Sequence, residues 1–476
     1  MKVIIKELPE KYNFIDEERI HSILVNTKPD KIKIREILEK SKAKNRLTLE
    51  EAATLLNNED PDVWEEIYAA ARYVKEIVYG NRLVLFAPLY IGSKCVNGCL
   101  YCGFSIDNPH AIRMTLTKEE LIKEVEALED MGHKRLILVY GEHPEYNGER
   151  IAEDVRTVYS VKKGKGEIRR VNINAAPMDV ENYKLVHEAG IGTWQIFQET
   201  YHRETYKKMH PKGPKSNYLW RLTGLDRAME AGIDDVGIGV LFGLYNYKFE
   251  VLALLQHTEH LEKEFGVGPH TISFPRLNPA FGALTETPYK VSDEQLKHII
   301  AVLRLSVPYT GLILTAREPA HLRRELFKLG VSQTDGGTSI EMKGYSKMRE
   351  RKKADQELDK EQFKINDVRS LDEVIYEAVL DGYIPSFCTS CYRAGRTGEH
   401  FMEYSIPGFI HNFCTPNAIL TFLEYLLDYA SEKTKEVGFK LIDKEIEKLK
   451  EVNPKIYNVL LKKVEEVKNG KRDVYF

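Results

Sequence analysis

Six cysteines define the chemistry open to this sequence, because they fall into two odd groups: Cys95, Cys99 and Cys102, then Cys388, Cys391 and Cys414. Three thiols in one local group cannot all pair with one another, so disulfides account for them poorly. The first group is a C-x3-C-x2-C loop, Cys95-Val96-Asn97-Gly98-Cys99-Leu100-Tyr101-Cys102. Three thiolates so placed suit three irons of a cubane cluster and leave the fourth iron open to a chelating small molecule. Zinc is the competing metal. It usually takes four ligands, and the loop holds no fourth cysteine; His110 lies eight residues beyond Cys102. The second group is a C-x2-C followed after 22 residues by Cys414. It suits a second open-sited cubane, or a zinc site completed by His400 or His411.

The elements that must position these groups alternate from residue 82 onward. The patterning predicts strands at 82–91, 135–140, 168–174, 193–198, 235–241, 270–274, 311–316 and 331–334. Helical patterns separate them at 117–131, 179–189, 218–231, 249–265, 292–306 and 319–329, several ending at a glycine. Eight strands alternating with helices over some 260 residues match an α/β (β/α)8 TIM-type barrel, with an open doubly wound sheet as the alternative. Residues 1–80 form a helical extension with a capping signature at Thr48-Leu49-Glu50-Glu51, 81–340 the barrel, and 341–476 a C-terminal domain carrying the second cysteine group. Within the last, 347–364 is a charged run expected to be a solvated loop or surface helix, and 370–383 is expected to close the barrel.

Composition removes several function classes. With 69 Lys+Arg against 72 Asp+Glu the formal charge of the 476 residues is −3, and no basic stripe marks a nucleic-acid footprint. No apolar run reaches membrane-span length, 83–91 being the best candidate, and lysines flank a short apolar patch at the N-terminus instead of a secretory signal. A cytoplasmic protein without membrane or nucleic-acid partners is expected, with its thiols kept reduced.

The cysteine loop, with Tyr101 just before its third cysteine, resembles the radical S-adenosylmethionine superfamily, and further pieces fall in order at later strand ends. Gly141-Glu142 resembles the Gly-Gly-Glu motif that holds the methionine amino group, with Tyr140 in place of the first glycine. Asn174 would meet the ribose or carboxylate, and Gly237-Ile238-Gly239 is similar to the element that approaches the adenine. The resemblance implies a 4Fe-4S cluster, S-adenosylmethionine, a low-potential electron donor and a 5′-deoxyadenosyl radical made inside a barrel.

Gln198 and Glu199, Arg276 and Arg317 end later strands, where barrel active sites lie. Two arginines at one mouth point to an anionic group on the substrate. Thr315-Ala316-Arg317-Glu318, Ser273-Phe274-Pro275-Arg276 and Gln333-Thr334-Asp335-Gly336-Gly337 resemble the aromatic amino-acid lyases, with Arg317 on a tyrosine carboxylate and cleavage to p-cresol and dehydroglycine. The C-x2-C-x22-C arrangement resembles the tyrosine lyases of FeFe-hydrogenase maturation, implying a second cluster with an additional iron, conversion of dehydroglycine to carbon monoxide and cyanide, and hydrogenase-maturation partners. In that family a histidine helps hold the extra iron; His270, at the opening of strand six, is the first choice and His257 and His260 are weaker ones. Strand direction places Cys388 at the barrel bottom, about 25 Å from the first loop. A lyase that stops at dehydroglycine and a non-catalytic iron–sulfur scaffold are the alternatives.

Overall fold

The computed structural model describes residues 6–284, 286–350, 356, 359–398 and 410–476. Its sheet is parallel throughout: β1 (Arg82–Gly92), β2 (Arg135–Tyr140), β3 (Arg170–Asn174), β4 (Trp194–Glu199), β5 (Val236–Val240), β6 (Thr271–Ser273), β7 (Gly311–Leu314), β8 (Gln333–Asp335) and β9 (Ile384–Ser386). Each of the first eight pairs with the next, and β1 pairs with both β2 and β8, so a closed eight-stranded barrel forms. The expected (β/α)8 architecture is the observed one. The strands read as almost continuous apolar runs because helices cover their outer face and side chains fill the interior.

Capping boxes at Thr117, Ser292 and Ser370 start three of the surrounding helices, each satisfying otherwise unpaired amides at the helix N-terminus. Two differences from the sequence pattern matter. The helix Gly148–Ser160 fills the interval between β2 and β3, which the periodicity left unassigned, and 218–231 is broken at Thr223 into two short helices, Tyr218–Leu222 and Gly224–Glu230. Four N-terminal helices, ending in Pro61–Tyr79, pack outside the barrel and feed β1 through Gly80, which sits at φ 63°. Helices Ile410–Asp428, Glu432–Val452 and Pro454–Lys468 follow β9. Among the described residues no helix is long and apolar enough to cross a membrane.

The pairing of β9 was not expected. It hydrogen-bonds to Arg82–Val84 at the start of β1, whereas β2 pairs with Ala87–Gly92 further along. β9 therefore wedges into the base of the barrel and carries the chain to Cys388.

One buried ion pair locks the last barrel strand to the segment before the closing helix. Arg323, 1% exposed, donates to Asp367 Oδ2 at 2.5 Å, to Thr334 Oγ1 at 2.6 Å and to Asp335 Oδ1 at 3.0 Å. Arg323→Ala would strand the buried Asp335 carboxylate without a counter-charge, Asp367 keeping its pair with Arg369, at a cost of about 3–5 kcal/mol. Urea unfolding should show that loss; a change below about 1 kcal/mol would contradict this role.

Candidate active site

The strands' C-terminal ends surround a cavity of about 200 Å³, lined by Cys95, Cys99 and Cys102 together with residues of all eight barrel strands or the loops that follow them. The cysteine loop after β1 is fixed from several sides. Val96 N–H donates to Glu142 O at 2.9 Å and Gly98 N–H to Lys212 O at 3.1 Å. Asn97 donates through Nδ2 to Glu142 Oε2 at 2.7 Å and accepts from Lys215 N–H at 2.9 Å. Gly141 is required here: a Cβ at that position would lie 2.3 Å from Lys94 O, inside the cysteine loop's own backbone. Tyr101 presents its ring to the cavity and anchors its hydroxyl on His210 Nε2 at 2.8 Å.

Glu142 is 8% exposed; burial pushes its carboxyl up, while Arg221 and Asn97 favour the charged form. Glu199 also faces the cavity. It sits at φ 71°, where β4 bulges against β5, and accepts from Lys215 Nζ at 2.7 Å, with Arg221 3.7 Å away. Arg317 differs from its neighbours. Its guanidinium stacks on Phe363 at 3.2 Å from the ring centroid, and among the described residues it makes no ion pair. Burial pulls it down to about 10, so it remains a cation at neutral pH. A half-buried cation on a cavity wall without a counter-charge among the described residues suits an incoming carboxylate. Asn174 and Gln195 complete the polar lining opposite it.

Three of the expectations at this mouth are corrected. Arg276 does not line the cavity: its guanidinium is held by both carboxylate oxygens of Glu318 and by Asp293 at 2.8 Å, so it braces the loops. Gln198 falls on the outward phase of β4, between the inward Phe197 and Glu199, and is buried behind the barrel wall. Gly237 and Gly239 point inward but are covered. A Cβ on Gly237 would lie 2.7 Å from Gln195 Cγ, and one on Gly239 2.6 Å from Phe197 Cδ1. Their missing side chains make room for the neighbouring strand, and neither reaches the cavity.

Sequence reasoning missed Asn97, Lys215 and Arg221, which come from loops and helices and not from strand ends. It also misjudged part of the charged run. Residues 359–365 fold over the mouth: Gln362 accepts from Tyr90 Oη at 2.9 Å and lies 3.6 Å from Cys102 Sγ, and Phe363 and Ile365 line the cavity. Two apolar residues so close among charges were the available signal.

A second, smaller cavity of about 70 Å³ lies at the opposite end, lined by Cys388, Cys391 and Cys414, His270 and the strand-base residues Arg82, Arg135 and Gln333. His270 Nε2 meets Tyr392 Oη at 2.9 Å, and its Nδ1 lies 3.7 Å from Asp235 Oδ1. His257 bonds Tyr201 and His260 bonds Asp226, both on the outer helix Tyr247–Phe265, so neither reaches this cavity. His400 lies outside the described residues, as does the side chain of His411. Five lining residues, Arg82, Arg135, Asp235, Thr389 and Arg396, each keep a buried polar atom without a hydrogen-bond partner among the described residues, a deficit that a bound group would relieve. Among the described residues no three His, Cys, Asp or Glu side chains converge tightly enough for one metal ion.

The two cavities share β1. Arg82 and Val84 line the lower one and Phe86, Pro88 and Tyr90 the upper one, as inward residues of one strand must.

Residues 89–256 match the model of the radical SAM superfamily, and residues 273–384 that of the biotin and thiamin synthesis associated domain. The radical SAM match implies a 4Fe-4S cluster and S-adenosylmethionine. The chain is 30% identical to 2-iminoacetate synthase of Salmonella typhimurium over 342 residues, 71% of this chain and 86% of that one. A crystal structure of HydG, a maturase of the FeFe-hydrogenase, superposes with a TM-score of 0.91 at 48% identity, covering 98% of this chain and 100% of that one. HydG from Carboxydothermus hydrogenoformans gives 0.81 at 37% identity, covering 96% and 100%. With the cysteine loop, the barrel and the second cysteine triplet all in place over the length of the chain, it belongs to the radical SAM superfamily, in the family of the FeFe-hydrogenase maturase HydG.

Proposed function

We propose that the protein is a tyrosine lyase that cleaves the Cα–Cβ bond to give p-cresol and dehydroglycine, and that it then converts dehydroglycine to carbon monoxide and cyanide at the lower site. The observation that carries the first half is the unpaired Arg317 guanidinium on the wall of the upper cavity. A 4Fe-4S cluster at Cys95, Cys99 and Cys102 with S-adenosylmethionine would supply the 5′-deoxyadenosyl radical there. The chain's own residues do the rest. Glu142 accepts from the methionine ammonium, and Asn174 meets its ribose or carboxylate. Arg317 clamps the tyrosine carboxylate and so fixes the amino nitrogen against the reacting carbon. The 359–365 segment covers the mouth and keeps water out.

The lower triplet distinguishes this reading from a lyase that ends at dehydroglycine. Cys388, Cys391 and Cys414 would hold a second cluster, and His270, opening onto the same cavity, an additional iron. Val84 lines the lower cavity and Phe86 the upper one, so along β1 the two sites adjoin within the barrel interior, through which a product as small as dehydroglycine would pass. Hydrogenase-maturation partners would take up the product.

Anaerobic incubation with tyrosine, reductant and S-adenosylmethionine should yield p-cresol and 5′-deoxyadenosine; neither forming on an intact cluster would leave only a scaffold. Arg317→Ala should lower kcat/KM for tyrosine by about 30-fold or more, the worth of a charged contact near 2 kcal/mol, while 5′-deoxyadenosine still forms. Cys388→Ala/Cys391→Ala should keep p-cresol and lose carbon monoxide; unchanged carbon monoxide would remove the lower site from the reaction. His270→Ala should keep p-cresol and lower the iron content, and iron retained in full would discredit its role as a ligand.

A further inference from the structure

The first cluster must be reduced by an outside donor, and the exposed residue of the cysteine loop 95–102 is Leu100. Cys99 and Tyr101 are 5% and 7% exposed, whereas Leu100 between them is 39% exposed. The opposite side of the loop faces the upper cavity. Leu100 is not an isolated apolar residue. Its carbonyl accepts from Leu284 N–H at 2.7 Å, which brings in the loop carrying Phe281, 45% exposed, and the same cysteine loop runs on to Ile106, 47% exposed. Asn108 Nδ2 ties the two loops together through Phe281 O at 2.8 Å.

This apolar patch is bordered by positive charge. Leu100 N–H donates to Met209 O and Gly98 N–H to Lys212 O, so the segment 203–215 lies directly beside the loop. That segment carries Arg203, Lys207, Lys208, Lys212 and Lys215 against a single carboxylate, Glu204, in a chain whose formal charge is −3. Arg203 is paired with Glu10, Lys212 with Asp107 and Lys215 with Glu199, but among the described residues Lys207 and Lys208, both exposed, have no ion-pair partner.

We propose that Leu100, Ile106 and Phe281, flanked by Lys207, Lys208 and Lys212, form the docking surface of a small acidic iron–sulfur electron carrier. In each encounter the carrier would be oxidised by one electron and the cluster at Cys95, Cys99 and Cys102 reduced by one, with no bond or proton exchanged. An apolar centre with a charged rim is the anatomy of a transient interface, and opposite charge raises the association rate by tenfold or more at low salt. The proposal rests only on the first cluster and not on what the radical acts on.

The test is binding and electron transfer with an acidic two-cluster ferredoxin as probe. Immobilised reconstituted protein is compared with Lys207→Glu/Lys208→Glu, with Phe281→Ser, and with Lys444→Glu/Lys455→Glu on the C-terminal helices as control. Affinity for the oxidised ferredoxin should fall about tenfold or more in the first variant and remain unchanged in the control, and the difference should shrink at about 0.5 M salt. Cluster reduction by reduced ferredoxin should slow in parallel, with dithionite-driven reduction unaltered. Unchanged ferredoxin affinity in both test variants overturns the proposal. So does an equal loss of rate with dithionite, or loss of self-association with ferredoxin binding intact, which would give the face to a second copy of the chain.

Discussion

β1 is hydrogen-bonded along its edges by three strands instead of two: β8 on one side, and on the other β9 at its start and β2 further along. A strand of 11 residues is long enough to serve both partners in turn. This split is the constraint from which the two-site architecture follows. The upper part of β1 ends in the cysteine loop, as any barrel strand can end in an active-site loop. The lower part admits a strand from the C-terminal region, and that strand delivers a second cysteine group to the base of the same barrel. Because inward residues recur every second position, the same strand lines both cavities without a side chain in common.

Most charges in and around the upper cavity are paired with one another. Glu199 is matched by Lys215 and Arg221, and Arg276 by Glu318 and Asp293, so those pairs are internally settled. Arg317 is the exception, held in place by an aromatic face that supplies no counter-charge. A half-buried guanidinium without a counter-charge is costly, and a carboxylate ligand would offset part of that cost on binding. The fold tolerates the arrangement because buried pairs such as Arg323 with Asp335 and Asp367 stabilise the strands around it.

Much of this was legible in the sequence because spacing encodes it. The cysteine loop, Glu142, Asn174 and Arg317 sit at strand ends, and a parallel barrel converts that position into a shared mouth. Arg276 occupies a similar position, yet its direction depends on Glu318 and Asp293, which no local pattern reveals. Gly237 and Gly239 looked like a close approach to a ligand, but the atoms that approach are Gln195 and Phe197 of the adjacent strand. Lys215 comes from a short turn and Arg221 from the helix Tyr218–Leu222 between β4 and β5, and the helical pattern there does not reveal that Arg221 turns toward the barrel mouth. β9 escaped notice because three residues alternate too briefly to stand out from a loop.

The central claim is that one barrel holds two chemically distinct iron–sulfur sites, of which only the upper one meets S-adenosylmethionine. Electron paramagnetic resonance of the reduced, reconstituted protein with and without S-adenosylmethionine tests it most directly. Two cluster signals are predicted, one shifted by S-adenosylmethionine and lost with Cys95→Ala, the other indifferent to it and lost with Cys388→Ala. A single signal, or two that both respond to S-adenosylmethionine, would contradict the account.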